Sequence, residues 1–252
     1  FYKGAPLINW LIYYPIEKFA SRLTDELIVI NHEDFDLANR RMRAKHVVYV
    51  PGVGVDVNRF QSVVVDRLSK RRTLGIPEDA FLLISVGELN RNKNHEVVVR
   101  AIAQLGNKNI HYMIAGRGPL KEYLLNLASD LGVSSQVHLL GYREDIAELY
   151  KSSDVCCFPS IREGLPLAAI EAMACGLPII VADNRGTREF AANGVNGFVC
   201  KWNDIDSFAN SIMHLANNRN ILEGLSIAAR DTVRRFDESR VIPLMKDIYN
   251  KY

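Results

Sequence analysis

The sequence of 252 residues is long enough for one large or two small domains, and its 48% hydrophobic content is ample for a packed core. A net charge of +2, with no basic stripe interleaved by aromatic residues, gives no reason to expect nucleic acid as a partner. The four cysteines, Cys156, Cys157, Cys175 and Cys200, lack C-x-x-C pairing, so no metal is expected and they read as reduced core residues of a cytoplasmic protein.

No apolar run is long enough to span a membrane, there is no signal peptide, and a first residue of Phe rather than Met fits a fragment. Ala5 to Leu23 form an aromatic, amphipathic segment in which Pro15 is expected to divide or kink a helix. Trp10, Tyr13 and Tyr14 beside Lys18 and Arg22 permit a membrane-surface reading, but packing against a neighbouring domain is favoured. Glu26 to Ile30 reads as a strand, and Asn31 as the N-cap of a helix through Arg43. One strand and two helices cannot bury a core, so residues 1–45 read as the tail of a domain whose larger part lies outside this sequence.

From His46 the pattern changes to repeated strand and helix. Unalternated apolar strands are predicted at His46–Val50, Phe81–Val86, Ile110–Ala115, Val137–Leu140, Val155–Phe158 and Ile179–Ala182. Crossover helices are predicted at Glu96–Leu105, Leu120–Leu131 and Ile146–Tyr150. The expected fold class is therefore α/β, a Rossmann-like doubly wound parallel sheet over residues 46–236. Ligands of such sheets sit at the carboxyl ends of the strands, where the loops with unusual chemistry fall.

The loop Pro51–Asp56 contains G-x-G but has Val57 in place of a third glycine, so a dinucleotide fingerprint is poorly supported and Gly52 and Gly54 read as turn residues. The loop Gly87–Asn94 places Arg91 and Lys93 at the start of a helix that Asn94 can cap, where a diphosphate would meet a guanidinium fork, an ammonium and the helix dipole. Gly116-Arg-Gly118-Pro and Gly141-Tyr142-Arg143-Glu-Asp145 are two further loops of the same edge; Asp145 reads as a helix cap.

The stretch Pro159 to Asp183 is the richest in chemistry. Pro166 suits a first helical position, Leu167 to Cys175 are helix formers, Gly176 suits a left-handed cap and Pro178 blocks continuation. Glu163 then lies in the loop and Glu171 in the helix, both able to face one crevice with the N–H groups of Gly164 and Leu165. Carboxylates with amides suit a phosphorylated sugar, although a Glu early in a helix also serves simply to stabilise it.

The string Glu163-Gly-Leu-Pro-x4-Glu171-Ala-Met-Ala-x-Gly-x-Pro resembles the signature of the family 4 glycosyltransferases, retaining enzymes of the GT-B fold. The resemblance implies that residues 46–236 are a nucleotide-sugar donor-binding domain, that 1–45 end the acceptor-side domain, and that 237–252 form a terminal helix crossing back toward it. Family members commonly carry G-R-L-x-x-x-K-G where this chain has Gly87 to Asn94. Lys93 matches the phosphate-gripping lysine, but Glu88 replaces the arginine and Asn94 the glycine, and Arg91 is a candidate to supply the lost charge. Gly116 and Gly118 resemble the family's G-x-G-P turn, and Tyr142 and Arg143 its turn beside the base.

The implied reaction is transfer of a sugar from a nucleotide-diphosphate sugar to a hydroxyl acceptor, with no cofactor and no metal. Glu163 would orient the sugar and Glu171 would accept from the ribose hydroxyls. Resemblance of the N-terminal region to enzymes of bacterial exopolysaccharide or capsule assembly points to a lipid-linked saccharide acceptor at the inner face of the membrane. Two alternatives stand beside it, a glycosidase using Glu163 and Glu171, and a nucleotide-sugar binding or epimerising protein of the same architecture. The fragment alone is expected to fold and to transfer little or no sugar.

Overall fold

The computed structural model describes residues 7–251 and divides into two units: the chain up to Val55 together with Arg235 onward, and Asp56 to Arg234. The first unit opens with a π-turn, Asn9–Tyr13, leading into α1 (Tyr14–Ala20) and a 3-10 turn, Ser21–Leu23. Pro15 lies just after the π-turn in a run that is helical on both sides, so its missing N–H leaves a gap in the bonding to the preceding turn without breaking the helix. Leu7, Leu11, Ile16, Phe19 and Leu23 are all more than half exposed along this stretch.

β1 (Glu26–Val29) and β2 (His46–Tyr49) pair in parallel, Glu26 opposite His46, joined by α2 (His32–Arg41). Asn31 caps α2 as expected, its Oδ1 accepting the Asp34 N–H at 2.7 Å. The strand at His46 is thus not the first strand of the large sheet. The expected boundary after residue 45 separates two paired strands, whereas the units divide after Val55. An apolar run announces a strand but not its partner, and here the short crossover supplied by α2 fixes the pairing.

The second unit begins with α3 (Val57–Ser62) and α4 (Arg67–Thr73), followed by β3 (Phe81–Val86), α5 (His95–Leu105), β4 (Ile110–Ala115), α6 (Lys121–Asp130), β5 (Val137–Gly141) and α7 (Ile146–Ser152). It continues through β6 (Val155–Phe158), α8 (Leu167–Ala174), β7 (Ile179–Ala182), β8 (Gly197–Cys200), α9 (Ile205–Asn217) and α10 (Arg219–Val233). The strands form one parallel sheet in the order β5-β4-β3-β6-β7-β8. Burial on both faces explains the unbroken apolar runs: Leu83, Tyr112, Ile114, Val155, Cys157 and Ile180 join one core with α5, α6 and α9. Leu82, Ile84, Met113, Cys156 and Ile179, alternating with them, are buried too and face the other way. All four cysteines are free and buried, and burial pushes the Cys156 and Cys175 thiols up to about 12.

The chain closes with α11 (Glu238–Tyr249), whose Val241, Met245 and Ile248 pack with Ile28, Val48 and Val50 of the first unit. Among the described residues no helix is long and apolar enough to cross a membrane.

A buried polar chain runs through the second unit beneath the sheet's carboxyl edge. The Tyr112 hydroxyl lies 2.6 Å from Ser85 Oγ and 3.1 Å from His95 Nδ1, while His95 Nε2 faces the Glu88 carbonyl at 3.2 Å. The carbonyl needs a donor, so Nε2 carries the ring proton. Burial pushes the imidazole down to about 4. Unfolded chains take up this proton near pH 6.5, so the stabilisation is complete above that value and is lost as pH falls toward 4. Between those limits the parent should lose on the order of 3 kcal/mol more than a His95→Gln variant, at about 1.4 kcal/mol per pKa unit. Urea denaturation at stepped pH reads the difference, and equal slopes would show His95 to be without effect.

Candidate active site

The sheet order reverses direction between β3 and β6: from β3 the chain winds outward through β4 and β5, and from β6 outward through β7 and β8. The loops leaving these two neighbours therefore bound a crevice at the carboxyl edge. One carries Lys93 and the other Glu163, and the structure joins them: Lys93 Nζ lies 2.8 Å from Glu163 Oε1 and 5.0 Å from the centre of the Phe158 ring. The two side chains are 22% and 16% exposed, so the charges meet partly withdrawn from water but still open to a ligand.

Backbone contacts made by asparagines hold the loops at this distance. Asn92 Nδ2 donates to the Arg162 carbonyl at 2.9 Å, and the Asn92 carbonyl accepts the Ile161 N–H at 2.8 Å. Asn90 Oδ1 accepts the Lys93 N–H. Asn94 does not cap α5 as its position suggested. It stands at φ 53°, and its side chain instead donates to the Pro159 and Trp202 carbonyls at 3.2 and 2.7 Å. Asn tolerates the left-handed region better than most residues other than glycine, so the turn before α5 costs it little. From the other side, buried Asn184 donates to the Ser160 carbonyl at 2.8 Å, and Arg185 Nε reaches the Glu163 carbonyl at 3.3 Å. The supporting roles of these four asparagines and of Arg185 escaped the sequence analysis because polar loop residues look like solvated surface; Asn94 was read there only as a helix cap.

The helix after Glu163 begins one residue later than expected. Pro166 is the N-cap of α8, so Gly164 and Leu165 belong to the approach loop and not to the first turn. The other end follows expectation: Gly176 at φ 89° and Leu177 return N–H bonds to the Met173 and Ala172 carbonyls, closing the helix with a Schellman turn. Glu171 sits midway along α8, and its carboxylate forms no hydrogen bond or ion pair among the described residues. Burial raises its pKa above the usual carboxylate range, with Arg59 pulling the other way. A half-buried carboxylate without a protein partner keeps its acceptor capacity for water or for the donors of a ligand.

The remaining expected residues do not all converge. Arg91 is exposed and lines a separate cavity beside Tyr123 and Trp202, so it does not join the Lys93–Glu163 pair. The loop turns between residues 91 and 93, so the two charges have different surroundings. Arg143 is engaged with Asp145 through two bonds of 2.8 and 2.6 Å, and Lys70 holds both Asp145 and Glu148. Asp145 thus occupies the N-cap position of α7 without making a capping bond; Arg143 and Lys70 hold its carboxyl well below the usual range. Tyr142 is exposed, with the Arg117 guanidinium 5.6 Å from its ring centre. Among the described residues no group of three or more His, Cys, Asp or Glu gathers to hold a metal ion.

Gly116 and Gly118 have a structural task that the sequence did not reveal. A Cβ on Gly116 would lie 1.8 Å from the Gly87 carbonyl oxygen, and one on Gly118 would lie 2.5 Å from that of Leu89. Their absence lets the phosphate-type loop rest directly on the next one, where Leu89 N–H donates to Arg117 O at 2.9 Å. Gly116→Ala should therefore cost about 1–3 kcal/mol through overpacking. Gly224→Ala, in α10 with nothing within 4 Å of the added methyl, should stabilise by about 0.5–1 kcal/mol. Opposite signs in chemical denaturation are the expected result.

Comparison with known proteins places the chain by sequence and by fold. The family described as glycosyl transferases group 1 matches residues 66–232. EpsD of Bacillus subtilis, a protein named as a glycosyltransferase, is 40% identical over all of this chain and 67% of its own length. A UDP-Gal:alpha-D-GlcNAc-diphosphoundecaprenol alpha-1,3-galactosyltransferase of Escherichia coli is 31% identical over 95% of the chain and 63% of its own length. The crystal structure of Anabaena HepE in complex with UDP and glucose superposes with a TM-score of 0.86 at 22% identity, over 94% of this chain and 66% of that one. The chain spans about two thirds of the length of these proteins. On the family match over residues 66–232, the EpsD identity and the shared GT-B architecture, the chain belongs to the glycosyl transferases of group 1.

Proposed function

We propose that this chain is the donor-binding part of a retaining glycosyltransferase that moves a sugar from a nucleoside-diphosphate sugar to a hydroxyl acceptor. The observation that carries the reading is Lys93 held against Glu163 in the switch-point crevice, with the unengaged carboxylate of Glu171 on the adjoining helix. An ammonium has three N–H donors, and Glu163 Oε1 takes one, leaving two for diphosphate oxygens. Glu163 thereby orients Lys93 without exhausting it and keeps its other oxygen for the donor sugar. Glu171 accepts from the ribose hydroxyls, which relieves its burial. In the reaction, the bond from the anomeric carbon to the diphosphate oxygen breaks, the bond to the acceptor oxygen forms on the same face, and the acceptor proton passes to the departing phosphate. The protein's contribution is fixed positive charge where that phosphate gains negative charge.

The UDP-galactose and the diphosphoundecaprenol-linked acceptor in the name of the Escherichia coli relative, and UDP in the Anabaena structure, support a uridine diphosphate donor and a lipid-linked saccharide acceptor. The place of action in this reading is the cytoplasmic face of the membrane, in bacterial surface polysaccharide assembly.

Calorimetry with UDP tests the ribose role: Glu171→Ala should weaken binding by about 1.5–3 kcal/mol, the worth of a bond to a charged acceptor, and Glu171→Gln by less. Unchanged affinity in Glu171→Ala would remove that assignment. In the protein that carries this chain, Lys93→Ala should slow sugar transfer by about tenfold or more, a loss of at least 1.4 kcal/mol of transition-state stabilisation. A parental rate would reduce the Lys93–Glu163 pair to a structural ion pair.

A further inference from the structure

A cavity of about 390 Å3 lies between the start of α5, the start of α6 and the turn after β8. Lys93, Glu163 and Glu171 do not line it, so it is distinct from the crevice described above. Its volume falls at the small end of the roughly 300–1,000 Å3 that small-molecule sites span. Leu120, Leu124 and Ile161 supply apolar lining, and two aromatic rings join them: Trp202, 45% exposed, and Tyr123, 41% exposed.

The Tyr123 hydroxyl donates to Glu96 Oε2 at 2.6 Å, and Asn94 Nδ2 donates to the main-chain carbonyl of Trp202 at 2.7 Å, fixing the backbone from which the indole projects. Arg91 lines the same cavity, and its guanidinium makes no hydrogen bond or ion pair among the described residues. The concavity therefore offers two half-wet ring faces, that of Tyr123 tethered through its hydroxyl, beside an unengaged fork of donors. A pyranose presents the matching surface, an apolar C–H face for a ring to cover and a rim of hydroxyls for donors and acceptors. A flat base would also find the rings and the guanidinium fork, but donors on Arg91 together with the acceptor carboxylate of Glu96 in the same lining match hydroxyls, which both donate and accept.

We propose that this cavity binds one sugar unit of a glycan, separately from the donor. The site goes beyond the transfer reaction and does not depend on the donor assignment, because none of the residues given roles there takes part. Arg91 finds its use here instead of at the diphosphate. Because Arg91 and Asn94 flank Lys93 in one loop, a sugar in the cavity also steadies the segment that presents the ammonium.

The chain has two tryptophans, so Trp10→Phe leaves Trp202 as the only one and makes it a reporter of its own cavity. In that background, the methyl glycosides of glucose, galactose and N-acetylglucosamine are titrated against Trp202 emission, with UMP as a stacking control. The expected result is a saturable change with at least one glycoside, weakened about tenfold or more by Arg91→Ala and by Tyr123→Ala and unaffected by Glu171→Ala; tenfold corresponds to about 1.4 kcal/mol. Circular dichroism checks that each variant, exposed Arg91 and Tyr123 and half-buried Glu171 alike, keeps its fold. The proposal is overturned by the absence of a saturable response to any glycoside, or by a response to UMP alone. It is equally overturned by a glycoside response that Arg91→Ala and Tyr123→Ala leave unchanged, or that Glu171→Ala abolishes.

Discussion

Two loops that leave neighbouring strands must lie side by side at the reversal of the sheet, and nearly every unusual residue of the second unit serves that adjacency. The ion pair between Lys93 and Glu163 is its visible product, but a partly exposed pair is worth too little to impose it. The imposing contacts are to the main chain. Asn92 and Asn94 reach carbonyls of the 159–162 loop, Asn184 reaches Ser160 from the far side, and His95 beneath them holds the carbonyl of Glu88. Side-chain amides suit this work because each carries donors and an acceptor without a charge to desolvate. The charged groups are then placed by a neutral lattice, which leaves their own hydrogen-bonding capacity for a ligand.

Close approach of backbones is the second requirement. The loop of residues 87–90 lies on the turn at Gly116 and Gly118 at distances no side chain permits, and Gly186 admits Gly164 and Glu163 in the same way. Glycines along the carboxyl edge of such a sheet thus have two readings, contact with a ligand's phosphates and contact with the next loop. Here the second is fully sufficient for Gly116 and Gly118. Any part they take in binding comes after this structural task.

Much of this was legible beforehand, and what was not has a common physical character. The buried strands were evident from apolar runs, and the end of α8 from Gly176 and Pro178, because both signals are local. Glu163, Glu171 and Lys93 stood out by type and spacing within a recognisable motif. Relations between distant segments were invisible: the partner of β2, the meeting of Lys93 with Glu163, and the departure of Arg91 to another cavity. Arg91 and Lys93 are two residues apart, and only the bend of the loop decides that they serve different places. The N-cap at Pro166 and the idle capping position of Asp145 differ from expectation by one residue or one rotamer, the resolution at which tertiary contacts override local preference.

Within the first unit, the two points at which the chain leaves and returns are joined, and this has a consequence for folding. Val55 donates to the Phe236 carbonyl and accepts from Glu238, at 2.9 and 3.0 Å, so the chain entering the sheet unit and the chain leaving it are fastened together. Gly54 at φ 88° brings its backbone to within contact of Glu238 to permit this. Residues 56–234 are thereby a closed excursion whose entry and exit lie side by side, and once the clasp has formed the second unit folds from a chain whose ends are already joined, with part of its loop-closure entropy removed beforehand.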